Sequence, residues 1–301
     1  MNKTAVSPIL DVQGLEVHFG PANDPVRAVD RVDFQIFPGE IVALVGESGS
    51  GKSISALSIA NLIPRPAGRI AGGKIIFQAL ETNGIAEQKK KGAGPAAPVA
   101  RSACFQTLEV LGLNDSELRK IRGDKIAYIF QEPATSLNPV FTIGWQIGEA
   151  IRLHRKGIKV KAEVEKLLAD VGLPDPKRTA KAYPHELSGG MQQRAMIAMA
   201  LACDPDLLVA DEPTTALDVT VQKQILELLV ELRNTRGLSI LLITHNLGIV
   251  ADIADRVYVM KSGKLVESGE TRSVLTHPQH DYTKKLLKAV PRLHKRGDQN
   301  N

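Results

Sequence analysis

Residues 41 to 53 read IVALVGESGSGKS, an apolar run passing directly into a glycine-rich loop that ends on Lys52 and Ser53. Few local sequences constrain a fold as tightly. A continuous apolar run is what a strand buried on both faces requires, and such strands belong to parallel sheets covered by helices. The glycines that follow let backbone N–H groups close around an anion, and the N-terminus of the next helix adds the positive end of its dipole. Gly46, Glu47, Ser48, Gly49, Ser50, Gly51, Lys52 and Ser53 satisfy G-x-x-x-x-G-K-[ST] in full. In that motif Lys52 reaches the β- and γ-phosphates of a nucleotide and Ser53 ligates Mg²⁺. The helix is expected to begin near Lys52 and to run through ISALSIANLI until Pro64 and Pro66 end it.

Strands alternating with helices extend this start into a mainly parallel α/β sheet. ILDVQGLEVHFG (9–20) and VDFQIFPGE (Val32–Glu40) alternate apolar and polar residues and read as half-buried strands. KIIFQ (Lys74–Gln78), KIAYIF (Lys125–Phe130), LLVA (Leu207–Ala210), SILLIT (Ser239–Thr244) and RVYVM (Arg256–Met260) are further strands, with a mainly helical stretch from Ile143 to Val171. Residues 82–107 carry a lysine run and a Gly/Ala/Pro cluster without apolar period, and read as a long mobile loop inserted in one domain spanning 1–301. The segment 277–301 reads as a C-terminal tail.

Composition excludes several classes. Aromatics are 4% of residues, too few for a base-stacking or carbohydrate-binding face, and the net charge of +5 owes much to clusters at Lys89–Lys91 and Lys284–Arg296, which read as solvated segments. No nucleic-acid partner is expected. Cys104 and Cys203 form neither a disulfide framework nor a four-ligand metal site, as suits a reducing compartment. His277, His280 and His294 lack a coherent ligand spacing. The first residues lack the apolar core of a signal peptide, and no run approaches the roughly 18–20 apolar residues that span a bilayer.

Two further motifs carry chemistry. Leu207–Pro213 is an apolar strand ending in Asp211 and Glu212; one acid suits a water-mediated Mg²⁺ contact and its neighbour a general base, which assigns the metal to Asp211 and the attacking water to Glu212. Leu187–Gln193, LSGGMQQ, opens a helix that Ser188 is placed to cap. This is a second helix N-terminus able to hold an anion, in a chain with one phosphate loop. A head-to-tail dimer uses it economically, with Ser188, Gly189 and Gly190 meeting the γ-phosphate bound by the partner.

With these motifs in this order, the chain resembles the nucleotide-binding subunit of ATP-binding-cassette (ABC) transporters over about residues 9–290, with Leu187–Gln192 close to their LSGGQ signature. The resemblance implies a P-loop NTPase (RecA-like) core with an antiparallel β subdomain and a helical subdomain at about 132–195. It also implies further roles. Gln131 in IFQEP matches the glutamine that senses Mg²⁺ and γ-phosphate and relays nucleotide state. Asp218 in TALD matches the loop crossing the dimer interface, and His245 in LLITHN the histidine that holds the γ-phosphate and supports Glu212. Phe19 matches the aromatic that stacks on adenine; core packing is its alternative. Trp145 and its apolar neighbours either line the groove for a membrane subunit or pack in the core.

FQEPATSLNPVFTIGWQI, ADEPTTALDVTVQKQIL and HPQHDYTKKLLKAVPRL resemble the branch that imports oligopeptides, dipeptides, nickel and glutathione. What this implies is an ATP- and Mg²⁺-dependent ATPase on the cytoplasmic face of the membrane. Its partners would be permease subunits, a second ATPase subunit and, indirectly, an extracytoplasmic substrate-binding protein. Di- or oligopeptides are the expected cargo, with nickel or glutathione import and a non-transport ABC ATPase as alternatives. The tail departs from the branch: it reads His280-Asp281-Tyr282-Thr283 where His-Pro-Tyr-Thr is usual. It also ends without the cysteines of longer members, so no iron–sulfur cluster is expected.

Overall fold

The computed structural model describes residues 7–21, 23–80, 105–215 and 217–289. Its strands and the helices that matter for the site fall in a simple order. The first part holds β1 (Leu10–Phe19), β2 (Val26–Ile36), β3 (Ile41–Val45), α1 (Lys52–Ser58), β4 (Gly68–Leu80), β5 (Phe105–Glu109), α2 (Asp115–Ile121) and β6 (Ile126–Ile129). A helical region follows with α3 (Pro133–Ser136), α4 (Ile143–His154), α5 (Val160–Asp170), α6 (Pro176–Thr179) and α7 (Gly189–Ala200). The chain then runs through β7 (Leu207–Asp211), α8 (Val219–Arg236), β8 (Ser239–Thr244), α9 (Leu247–Ile253), β9 (Arg256–Lys261), β10 (Lys264–Glu270), α10 (Thr271–Thr276) and α11 (Asp281–Ala289).

These strands form two sheets. One is four-stranded in the order β2-β1-β4-β5 and antiparallel throughout. The other is six-stranded in the order β10-β9-β3-β8-β7-β6, parallel except for the β10 edge. The division follows from the patterns: alternating β1 and β2 bury one face, whereas every residue of β3 and β8 is buried. One core lies between the sheets and takes in Ala56 and Ile59 at the α1 end of the site. A second lies on the other face of the parallel sheet, under α4, α5, α7 and α8. A third joins β3 and β9 to α9 and α11.

Three elements differ from the sequence reading. β4 runs well beyond Lys74–Gln78, because Gly72 and Gly73 form an irregular register opposite β1 instead of ending the strand. Gly73 has φ +97°, and a Cβ there would lie 2.6 Å from the Gly14 carbonyl oxygen, so glycine is required at this crossing. The expected loop at 82–107 gives way to β5 at Phe105, which pairs with Leu80; its residues 82–104 lie outside the described ones. Helix α1 stops at Ser58, short of Pro64. Ile59 N–H closes the helix on the Ala56 carbonyl, Asn61 is left-handed at φ +52°, and the Arg122 side chain takes the carbonyls of Ala60 and Asn61 at 2.8 and 2.7 Å, so the helix passes there into a held turn.

Candidate functional site

Parallel strands bring their carboxyl ends to one edge of a sheet, and that edge is where such sheets bind ligands. Val45 pairs with Thr244, Asp211 with Ile243, and Ile129 with Ala210. The residues that follow are therefore gathered together: Gly46 after β3, Glu212 after β7, His245 after β8 and Gln131 just beyond β6.

The phosphate loop is closed on itself. The Lys52 ammonium is buried and donates to the carbonyls of Gly46 and Glu47 at 2.9 and 2.8 Å, with Ser50 Oγ at 3.5 Å. Burial lowers its pKa, against the pull of the Glu212 and Asp211 carboxylates. Gly51 begins α1 with φ +102°, and a Cβ there would stand 2.5 Å from the Ala28 carbonyl oxygen. Both strain and space thus demand glycine. No side chain caps α1, so its first N–H groups stay open to a ligand.

Asp211 and Glu212 end β7 in opposite electrostatic states. Burial raises the pKa of Asp211, while a hydrogen bond from Ser53 works the other way, and its Oδ1 is buried with no partner. A buried unpaired carboxylate oxygen beside a serine hydroxyl is the hard-oxygen donor set that Mg²⁺ takes. The residues fit the ion. No cluster of three or more His, Cys, Asp or Glu ligands occurs among the described residues.

Glu212 is held from three sides. Burial would raise its pKa, but the hydrogen bonds from His245 and Thr215, with the charges of His245 and Lys52, outweigh it and lower it. Oε1 lies 3.0 Å from His245 Nδ1, and Oε2 accepts from Thr215 Oγ1 at 2.8 Å and Gln131 Nε2 at 3.2 Å. The backbone turns to φ +45° at this residue, a conformation that costs a non-glycine roughly 1–2 kcal/mol. A hydrogen bond from its N–H to the Ile243 carbonyl (2.9 Å) helps hold that turn. Thr215 escaped the sequence reading; a hydroxyl three residues after the acid in DEPTT was its only signal.

The remaining predicted residues lie elsewhere. Ser188 caps α7, its Oγ accepting from Met191 N at 3.4 Å. Ser188 and Gly189 are exposed, and Gly190 packs on α8, where a Cβ would meet Val221 at 2.8 Å. Gln192 turns back to hold the carbonyls of Pro184 and Leu187. Asp218 caps α8 through Val221 N at 2.9 Å. Helix α7 packs in the core beneath α4, α5 and α8, and α1 in the core between the sheets, so one chain does not fold its signature helix onto its own phosphate loop. Phe19 is half-buried on the inter-sheet core, its ring close to Gly68.

A glycine-rich loop with a buried lysine, two carboxylates at the end of β7, one strand beyond β8, and a polar cage around one of them define a P-loop nucleotide hydrolase. The model of the family described as "ABC transporter" matches residues 29–215, and one described as "Oligopeptide/dipeptide transporter, C-terminal region" matches 266–301. The chain belongs to the ABC transporter family, as its ATP-hydrolysing cassette. A putative peptide import ATP-binding protein of Brucella ovis is 49% identical over 288 residues, covering 95% of this chain and 78% of that protein. The dipeptide transport ATP-binding protein DppD of Escherichia coli is 45% identical over 285 residues, with 94% and 78% covered. A dimeric ATP-binding cassette in a post-hydrolysis state, bound to ADP and phosphate, superposes with a TM-score of 0.68 at 26% identity, covering 87% of this chain and 99% of that one.

Proposed function

We propose that this chain energises the import of di- or oligopeptides. Two cassettes would close head to tail on two ATP molecules, each γ-phosphate held between one chain's phosphate loop and the other's Ser188–Gly190. The observation that carries the catalytic part is the caged Glu212, ionised at neutral pH and aimed by His245, Thr215 and Gln131. It would orient and deprotonate the attacking water, while Lys52 and the α1 N-terminus hold the phosphates. Ser53 and Asp211, with Gln131 beside them, would hold Mg²⁺, which supplies charge neutralisation to the phosphates when bound. Phe19 would contact the adenine, and Asp218 would stand at the dimer interface.

Loss of the γ-phosphate removes the link between the two chains, so hydrolysis shifts the population from closed to open. A permease would feel this beside Gln131. Phe141 and Trp145, which follow Gln131 along the chain, stack with centroids 4.0 Å apart and stay 37% and 40% exposed, and Val140 and Leu153 are also exposed. An apolar patch of this kind suits a membrane subunit's cytoplasmic helix. No helix among the described residues is long and apolar enough to cross a membrane. A place at the cytoplasmic face, bound to permease subunits that receive cargo from an extracytoplasmic binding protein, accords with that. The peptide cargo rests on the names of the relatives. Deletion of the gene should abolish uptake of labelled di- or oligopeptides and leave nickel and glutathione uptake intact. Loss of nickel or glutathione uptake instead would reassign the cargo, and recovery of ribosomes or DNA without a permease would reject transport.

A further inference from the structure

The C-terminal helix reaches the phosphate loop directly. Tyr282, the second residue of α11, is buried, and its hydroxyl accepts the Glu47 backbone N–H at 3.0 Å. Its side chain packs in one core with Val45, immediately before Gly46, and with Val257 and Val259 of β9. The Lys261 ammonium sits 5.1 Å from the ring centroid. The entry to α11 is itself tied down. Glu267 of β10 accepts the N–H groups of Gln279 and His280 at 2.7 and 3.1 Å, and His280 Nδ1 accepts Tyr282 N–H at 3.1 Å. A second tie meets the far side of the loop, where Gly263 N–H donates to the Ser50 carbonyl at 2.9 Å. Glu47 and Ser50 are thus fixed by groups that do not belong to the phosphate-binding motif.

We propose that Tyr282 is a positioning residue for ATP binding, through which the C-terminal region sets the affinity of the phosphate loop. The nucleotide needs the loop's N–H groups already turned inward. A loop that must be ordered on binding returns part of the binding energy as lost conformational freedom. With its hydroxyl on Glu47 N–H, Tyr282 holds the loop in the bound shape before nucleotide arrives. Coupling between two sites is reciprocal, so nucleotide must in turn tighten the docking of α11.

The proposal rests on the phosphate loop binding ATP, and the test separates the two. In the full-length chain, Tyr282→Phe keeps the ring and removes only the hydroxyl. With a fluorescent ATP analogue and Mg²⁺, it should bind about three- to ten-fold more weakly than wild type, the range expected for one net hydrogen bond. In the assembled transporter the loss should fall on KM for ATP, with kcat changed less than about two-fold. Equal affinity with only a lowered melting temperature would make the contact structural and overturn the proposal. Hydrogen exchange on the wild-type chain gives a readout independent of the variant's folding: amides of 281–289 should exchange more slowly with ATP bound, and unchanged exchange overturns the coupling. If the wild-type chain binds no nucleotide, the reading of the loop fails along with it.

Discussion

Two helix N-termini in this chain look alike in sequence and differ in what caps and surrounds them. Both carry a serine and glycines at the helix start, before the first turn at α1 and inside it at α7. At α1 no side chain caps the helix, and a buried lysine and two carboxylates surround the opening. At α7 Ser188 occupies the cap, and it and Gly189 are exposed. On the proposed function, the α1 end would bind the phosphates and hold the water that cleaves them, and would lack only closure from above. The α7 end has donors and nothing that reacts. On the function proposed above, a site divided in this way would bind nucleotide as a single chain and turn it over as a pair.

The sharpest way to test that division is to disable the chemistry at the first end and leave its binding intact. Glu212→Gln keeps shape and hydrogen-bonding capacity and removes the base. Hydrolysis should fall by about 10²–10⁴-fold, the usual contribution of a general base, with ATP affinity retained and a closed dimer accumulating. Single-turnover hydrolysis and size-exclusion chromatography in ATP measure both halves. Near-normal turnover would remove Glu212 from its role.

A smaller effect comes from the second end. Ser188→Ala would confound cap and function, since losing a cap costs about 1 kcal/mol. Ser188→Asp keeps the cap, because aspartate caps as well as serine, and sets a negative charge where the partner's γ-phosphate would lie. Affinity of the isolated chain for ATP should stay within about two-fold, while ATP-dependent dimerisation and turnover fall by on the order of 10²-fold, as when one preorganised donor at a transition state is lost. Equal loss of binding and turnover would place α7 against its own chain's nucleotide and dissolve the comparison.

What the sequence made legible follows the same divide. Contiguous motifs announced the phosphate loop, the Asp211-Glu212 pair and the Ser188 cap, because each depends on neighbours along the chain. The strands were visible where period or burial was strong, as in β3 and β8. The polar cage around Glu212 was half legible: Gln131 and His245 came through family resemblance, and Thr215 was missed, since its bond to Oε2 depends on how DEPTT turns after a left-handed residue. The end of α1 was misjudged because Arg122, far along the chain, holds the turn that follows it. The Tyr282–Glu47 bond joins residues at opposite ends of the chain and left no local signal. β5 was hidden by a compositional change that ran a few residues past the segment it described.

The smallest effect tests the electrostatic contrast inside the first end. Asp211 and Glu212 are adjacent, yet burial raises the pKa of the one and hydrogen bonds with positive charge lower that of the other. The signs lead to opposite dependences of stability on pH. For Asp211 the folded pKa exceeds its ordinary value of 3.8, so its contribution is fully present below that value and lost as pH rises through the folded pKa. In the unliganded chain the charged form of Asp211 is therefore disfavoured by burial, and a cation would relieve it. Asp211→Asn removes that charge and keeps the shape. Without nucleotide or Mg²⁺ the variant should melt slightly higher at pH 7, by about 1–3 °C. The gain should shrink as pH falls toward the acid range, where wild-type Asp211 protonates. Adding Mg²⁺ and ATP should reverse the order, stabilising wild type more than the variant through binding linkage. Glu212→Gln should show no such gain at pH 7, since its carboxylate is favoured in the fold and its contribution is lost only as pH falls through the depressed pKa. Matching shifts for the two variants would mean that the adjacent acids share one environment, and the division of labour between metal contact and base would have no electrostatic footing.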